Sequence, residues 1–149
     1  MKNHNLLLLL AALILSLNSA LAEKTPSYVI RAFEVKYPNA QNVSWKHSLN
    51  TFIAGFEQNN YKYVAQFNNN GEWKKTEQEI SLSVLPELVK NALLNSEYAN
   101  WNIKSINILF FPYIKSKYNV TISSSDNQIK RLLFNQVGKM LKDNFNWKF

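Results

Sequence analysis

The chain has 149 residues, a formal net charge of +7 at pH 7, three glycines, four prolines and no cysteine. This length fits one compact domain or two small halves packed together. The composition excludes disulfide-stabilised, collagen-like and low-complexity proteins, so a packed core must supply the stability.

The first 22 residues predict a secretory signal peptide. An apolar run from Leu6 to Leu17 follows the weakly basic start, and Ala20-Leu21-Ala22 fits the small-residue pattern of a cleavage site. We expect cleavage after Ala22. The run is too short to span a membrane comfortably, so no transmembrane anchor is expected after cleavage.

Residues 23–82 predict a helix followed by four strands. The helix starts at Thr25-Pro26-Ser27, with Thr25 or Ser27 as its N-cap, and Pro38 ends it. Apolar residues at helical spacing form one buried stripe. Period-two alternation then predicts strands at Val43–Lys46, Phe52–Phe56, Tyr61–Phe67 and Glu72–Ile80.

The hairpin Tyr61–Thr76 carries a pattern that occurs twice in the chain. Its turn, Asn68-Asn69-Asn70-Gly71, has residues that tolerate positive φ. The segment Phe67 to Trp73 resembles the segment Phe134 to Met140, which lies 67 positions later: Phe, Asn and Gly occupy the same places in both. A repeated turn of this kind indicates a repeated supersecondary unit.

Residues 83–149 are therefore predicted to form the second unit. Its helix covers Ser83–Asn95, capped by Ser81 or Ser83, and its strands lie at Ile103–Phe111, Lys117–Ser123, Gln128–Phe134 and Lys139–Phe145. The predicted fold class is α+β. Two tandem helix-plus-four-strand repeats would form one antiparallel sheet with both helices on one face.

The chain resembles a known family in three places: Tyr37-Pro38, Asn42 to Lys46, and Phe67 to Trp73. These residues are similar to those of the PepSY-like, β-lactamase-inhibitor-like proteins that many Gram-negative bacteria export. The resemblance implies the fold of an inhibitor built from two such repeats, which grips its enzyme with the open face of its sheet and its loops. It also implies a periplasmic or secreted location.

The residues themselves offer little for catalysis. After signal removal His47 is the only histidine, and there is no nucleophile elbow, phosphate-binding loop or set of metal ligands. We therefore predict no enzyme activity, no metal and no cofactor. Scattered lysines in an exported protein also argue against a specific nucleic-acid partner.

The aromatic residues on the alternating strand faces could stack sugars or bases, but they are better explained as the core beneath the helices. This core set comprises Trp45, Phe52, Phe56, Tyr61, Tyr63, Phe67 and Trp73.

The opposite face of the sheet is the predicted binding surface. Its mixture of apolar and cationic side chains is typical of a protein interface, although an ordinary solvated face explains it equally well. The candidate residues are Lys46, Ile53, Lys62, Val64, Gln66, Lys74, Asn119, Thr121 and Arg131.

Three functions are compatible with this surface. The first, which the family resemblance implies, is that of a binding protein that inhibits an exported hydrolase, such as a β-lactamase or a peptidase. The second is a structural or self-associating envelope protein, including a homodimer. The third is a binder of a small ligand or an anionic polymer.

Overall fold

A computed structural model describes residues 24–141. The predicted signal peptide, its cleavage site and the end of the last predicted strand therefore lie outside the described residues. The elements in chain order are α1 (Ser27–Lys36), β1 (Gln41–Ser48), β2 (Thr51–Gln58), β3 (Tyr61–Asn68), β4 (Trp73–Glu79), a 3₁₀ turn (Leu82–Val84), α2 (Glu87–Leu94), β5 (Asn102–Phe110), β6 (Lys117–Ser123), β7 (Ile129–Phe134) and β8 (Met140–Leu141).

The eight strands form a single antiparallel sheet in which every strand pairs with the next one in sequence. Strand β4 pairs directly with β5, which joins the first four strands to the last four. The expectation of a mixed helix-and-strand fold with one antiparallel sheet is confirmed. Neither helix within residues 24–141 is long and apolar enough to cross a membrane.

Each helix follows a proline and not one of the predicted serine or threonine caps. Pro26 and Pro86 occupy the N-cap positions, and no side chain makes a capping hydrogen bond at either N-terminus. Helix α2 also begins at Glu87, four residues later than predicted. Leu85 precedes a proline and is held in the extended region, with ψ at 132°, so a helix cannot run through it.

Helix α1 packs on the sheet through an aromatic cluster. The ring of Phe33 makes edge contacts with Phe56 at 5.0 Å and with Trp45 at 5.3 Å between centroids. Edge-to-face geometry at these distances is favourable for aromatic pairs. The buried members of the cluster are Val29, Phe33, Phe52, Ala54, Phe56, Ala65 and Phe67.

Helix α2 packs on the same face of the sheet through a second cluster. Thr76 pairs with Ala65 of the first cluster on one side and with Phe110 of β5 on the other, so all three side chains lie on the face that α1 covers. Because side chains alternate along a strand, Ile106 of β5 lies on this face as well. Ile106 joins residues of α2 in one buried group. The face opposite the helices is called the open face below. The buried members of the second cluster are Ile80, Leu85, Val89, Leu93, Ile106, Val120, Ile122, Leu132 and Phe134.

Three of the seven predicted aromatic core residues are buried, three are half-buried and one is exposed. Phe52, Phe56 and Phe67 are buried, whereas Tyr61 is 42% exposed. The ten residues of α1 cover about 15 Å, but the eight residues of β3 extend about 27 Å. The helix is therefore too short to cover Tyr61. Trp45, Tyr63 and Trp73 are only half-buried.

The two repeated turns make the same hydrogen bonds. The Oδ1 atom of Asn68 accepts the backbone N–H groups of Asn70 and Glu72, at 3.0 and 2.9 Å. In the second turn, Oδ1 of Asn135 accepts the N–H groups two and four residues later, at 3.1 and 2.9 Å. Asn68 thus holds together the turn between β3 and β4, and Asn135 the turn between β7 and β8.

Replacing either turn asparagine with alanine is expected to destabilise the protein by about 1–2 kcal/mol, because two backbone donors lose their acceptor. Urea unfolding of Asn68→Ala and Asn135→Ala would measure the loss. Asn100→Ala, at an exposed site, is the control and should unfold like the parent protein. A loss confined to one of the two turns would show that the shared hydrogen bonds are not energetically equivalent.

Candidate functional site

The register across the strands defines which residues share the open face. Lys46 pairs with Ile53, Ile53 with Gln66, and Gln66 with Lys75. Directly paired residues in antiparallel strands lie on the same face. These four side chains therefore form one row across β1 to β4.

A second row crosses nearly the whole sheet. Gly55 pairs with Val64, Val64 with Glu77, Glu77 with Leu109, and Leu109 with Lys117. This row links the two halves of the open face and brings residues of β2 through β6 into one surface.

Most of the predicted binding residues lie on the open face. Asn119 pairs with Leu133, and Thr121 pairs with Arg131. The register places the following predicted residues there: Lys46, Ile53, Lys62, Val64, Gln66, Asn119, Thr121 and Arg131.

Lys74 is the exception, and the prediction for it is wrong. Phe67 pairs with Trp73 while Gln66 pairs with Lys75, so Lys74 is an extra residue in a β-bulge. A bulge shifts the alternation of the strand by one position. Lys75 consequently takes the place on the open face that was assigned to Lys74.

Lys75 is almost completely buried although it lies on the open face. Its relative exposure is 7%, and its Nζ atom lies 2.7 Å from Oε1 of Glu77. Leu109 and Leu133 on the same face are 1% and 6% exposed. An ordinary solvated sheet face would not bury a lysine and two leucines.

A cleft of about 120 Å³ lies on the open face over β4 to β7. Glu77 and Arg131 line it from the outer two of these strands, and amide and hydroxyl groups line it between them. Its lining residues are Glu77, Ser105, Asn107, Leu109, Asn119, Thr121 and Arg131. It therefore offers a carboxylate, a guanidinium and neutral hydrogen-bonding groups within one concave site.

The predicted binding residues include Asn119, Thr121 and Arg131 of this cleft but none of its residues from β4 and β5. The signal was present in the alternation of β5. Ile106 and Ile108 face the helices, so Asn107 and Leu109 must face the other way.

The cations on the open face outnumber the carboxylates. Lys62 pairs across strands with Glu57, and Lys75 is bound to Glu77. The cations are Lys46, Lys62, Lys75, Lys117 and Arg131, and the carboxylates are Glu57, Glu77 and Glu79. A partner with an acidic surface would be favoured by this balance.

Within residues 24–141 no group of three metal-ligating side chains comes together. His47 lies in β1 and not in the turn, with its ring stacked on Phe52 at 4.6 Å between centroids.

A sequence model of the family described as "Putative beta-lactamase-inhibitor-like, PepSY-like" matches residues 50–142. The match covers more than half of the chain. The chain belongs to this family. The predicted resemblance is thereby confirmed, although its part between Tyr37 and Lys46 lies before the matched range.

Three solved structures from Bacteroides share the fold of this PepSY-like chain. A DUF2874 family protein from Bacteroides ovatus has 26% sequence identity and a TM-score of 0.75, covering 80% of this chain and 86% of its own. A BLIP-like protein from Bacteroides fragilis has 25% identity and a TM-score of 0.75, covering 83% and 88%.

The third structure is described as one of the putative periplasmic proteins of Bacteroides eggerthii. It has 22% identity and a TM-score of 0.75, covering 80% of this chain and 87% of its own. At 22% identity this similarity shows a shared fold and nothing further. No curated protein matched the chain.

Proposed function

We propose that this PepSY-like chain is an exported, non-enzymatic binding protein that inhibits a hydrolase through its open sheet face. The observation that carries the proposal is the cleft over β4 to β7. Glu77 and Arg131 stand on strands about 14 Å apart, and Leu109 lies buried between them. Amide and hydroxyl groups that lie between two opposite charges can orient the polar side chains of a partner.

The size of the open face also supports a protein partner. Eight strands span about 34 Å, and strands of about seven residues extend roughly 24 Å. The product is roughly 800 Å², which is what each partner buries in a standard protein–protein interface. A site for a small ligand alone would not need this area.

The inhibitor assignment is supported by the family description and by the BLIP-like protein of similar fold. Fold alone does not determine function, so the target enzyme has to be found by experiment. Export is supported by the predicted signal peptide and by the periplasmic protein of similar fold. A β-lactamase or a peptidase in the same compartment is the expected target.

We also propose that the chain is a tandem duplication, with units at residues 23–82 and 83–149. The element order supports it, since a helix followed by four strands occurs twice. The matched hydrogen bonds of Asn68 and Asn135 support it further. One sheet built from two units would explain why the cleft draws residues from both.

Reversing the charge of Arg131 is expected to weaken partner capture at least about ten-fold, because the substitution removes an attractive charge and adds a repulsive one. The mature chain, residues 23–149, is immobilised and exposed to envelope proteins of its host, and mass spectrometry quantifies the retained proteins. Any captured hydrolase is then purified, and its activity is titrated with the parent chain and with Arg131→Glu.

Arg31→Glu is the matched control, since Arg31 is an exposed arginine on α1, on the other side of the sheet. It should capture and inhibit like the parent chain. Three results would contradict the proposal: equal losses in both variants, a captured protein that is not inhibited, and recovery of homo-oligomers only. The last result would favour the self-associating envelope protein.

A further inference from the structure

Strand β1 is one of the two outer strands of the sheet. It has eight residues, most of them exposed, and beyond an irregularity between Gln41 and Ser44 its pairing with β2 is regular from Ser44 to Ser48. Among residues 24–141, no segment pairs with its outer side. Every second residue of an antiparallel edge strand points its N–H and C=O groups outward, so the edge can accept another strand.

An apolar groove runs beside this edge on the helix side of the sheet. It has a volume of about 540 Å³ and lies between α1 and β1. Val43, which is 40% exposed, and Trp45 form its strand wall, and Phe33 and Tyr37 form part of its helix side, where Glu34 is the one carboxylate.

One residue of the groove, Tyr37, is held in position by a partly buried hydrogen bond. The hydroxyl of Tyr37 is hydrogen-bonded to Oγ1 of Thr76, which also accepts the indole N–H of Trp73 at 2.8 Å. Burial is the main cause that raises the pKa of Tyr37 above its usual value. Because the hydrogen bond to Thr76 orders the Tyr37 side chain before a partner binds, less conformational entropy is lost on binding.

The open-face side of β1 carries a cation without a local counter-charge. Lys46 is exposed and makes no ion pair with any residue between 24 and 141. Its neighbours across the strand and along it are Ile53, Ser44 and Ser48. The nearest carboxylate in β1 and β2 is Glu57, which lies four residues along β2 from Ile53, the partner of Lys46, or about 14 Å along the strand.

We propose that β1 is a docking strand for an extended segment of another protein in which apolar and acidic side chains alternate. The segment adds to the sheet as a ninth strand. Its apolar side chains enter the groove beside Val43 and Trp45, and its acidic side chains lie beside Lys46. Alternation along a strand is what separates the two kinds of side chain.

A second copy of this chain is a poor occupant of the same edge. Strand β1 contains Lys46 and His47 but no carboxylate, and the whole chain carries a net charge of +7. Pairing of β1 with its own copy supplies no acidic side chain and brings two cationic proteins together. The docking site is independent of the cleft on the open face and does not rest on its proposed function.

The test uses a labelled peptide, acetyl-Thr-Val-Glu-Phe-Glu-Val-Thr-amide, and a matched peptide with lysine in place of both glutamates. Fluorescence anisotropy measures their binding to the chain. We expect the glutamate peptide to bind more tightly. Lys46→Glu should weaken its binding about five-fold and reverse the preference between the two peptides. Lys104→Glu, an exposed lysine on β5, should leave the preference unchanged.

Val43→Asp should abolish binding of the glutamate peptide, since it places a charge in the apolar groove. Ile103→Asp is the matched control, because Ile103 is 39% exposed and lies on β5, away from β1. Circular dichroism verifies that both variants fold. A peptide with proline at its central position should also fail to bind, because it cannot complete the strand hydrogen bonds.

Four results would overturn the proposal. They are no binding of either peptide, equal binding of both, equal losses in Val43→Asp and Ile103→Asp, and a concentration-dependent dimer that Val43→Asp disrupts. The last result would assign the edge to a second copy. Arg131→Glu should not change peptide binding, so failure at β1 can be distinguished from failure of the open-face site.

Discussion

Replacing Gly138 with alanine is expected to lower the free energy of unfolding by about 3–4 kcal/mol. Gly138 has φ at +77°, where a side chain costs about 1–2 kcal/mol. A Cβ at this position would also overlap the carbonyl group of Leu88, lying 2.8 Å from its carbon. The backbone of α2 would have to move away from the turn between β7 and β8.

Gly71→Ala is the matched control for this prediction. Its φ of +78° is nearly the same, but the tight approach of its Cβ, at 3.2 Å, would be to the ring of Tyr28, while the backbone oxygen of Tyr28 in α1 would lie at an ordinary contact distance of 3.7 Å. We expect a loss of about 1–2 kcal/mol from the backbone conformation alone. Urea unfolding followed by circular dichroism measures both. Equal losses would show that the approach of α2 to its turn does not limit position 138.

Replacing Phe67 with alanine is expected to cost about 3–5 kcal/mol of stability, because a large side chain leaves a cavity in a packed core. Phe67 has no exposed surface and lies 6.3 Å from both Phe33 and Trp45 between ring centroids. A domain of this size is stable by roughly 5–15 kcal/mol, so the variant should unfold at a much lower urea concentration.

Two further variants show whether the loss comes from the core. Phe134→Ala, at a fully buried position of the second cluster, should lose a similar amount. Tyr113→Ala removes an aromatic ring that is fully exposed and should change stability by less than about 0.5 kcal/mol. A loss for Tyr113→Ala as large as that for Phe67→Ala would contradict the assignment of the core.

Alternation predicted the faces of the strands correctly because side chains of a strand must point to opposite sides. Phe52, Ala54 and Phe56 are buried as expected, and the turn of Asn68 was recognised from its residue types. The prediction failed at Lys74, where a bulge interrupts the alternation. A bulge depends on pairing with the neighbouring strand, which the local sequence does not reveal.

The start of α2 was mispredicted for a local reason that the sequence did contain. A residue before proline avoids the helical region, and this should have moved the start of α2 from Ser83 to Glu87. The exposure of Tyr61 has a different cause, because it depends on how far α1 reaches over the sheet.

The sequence by itself determined the antiparallel strands, the turns, the buried stripe of each helix and most of the open face, because all of these follow from the periodicity and conformational preferences of neighbouring residues. Only the tertiary structure decided which residues form the cleft and which strands lie at the two edges of the sheet that residues 24–141 form. The cleft requires Glu77 and Arg131, which are 54 positions apart, to lie on one face through the pairing of β4 with β5. Such long-range pairing is a property of the assembled sheet, and no local pattern encodes it.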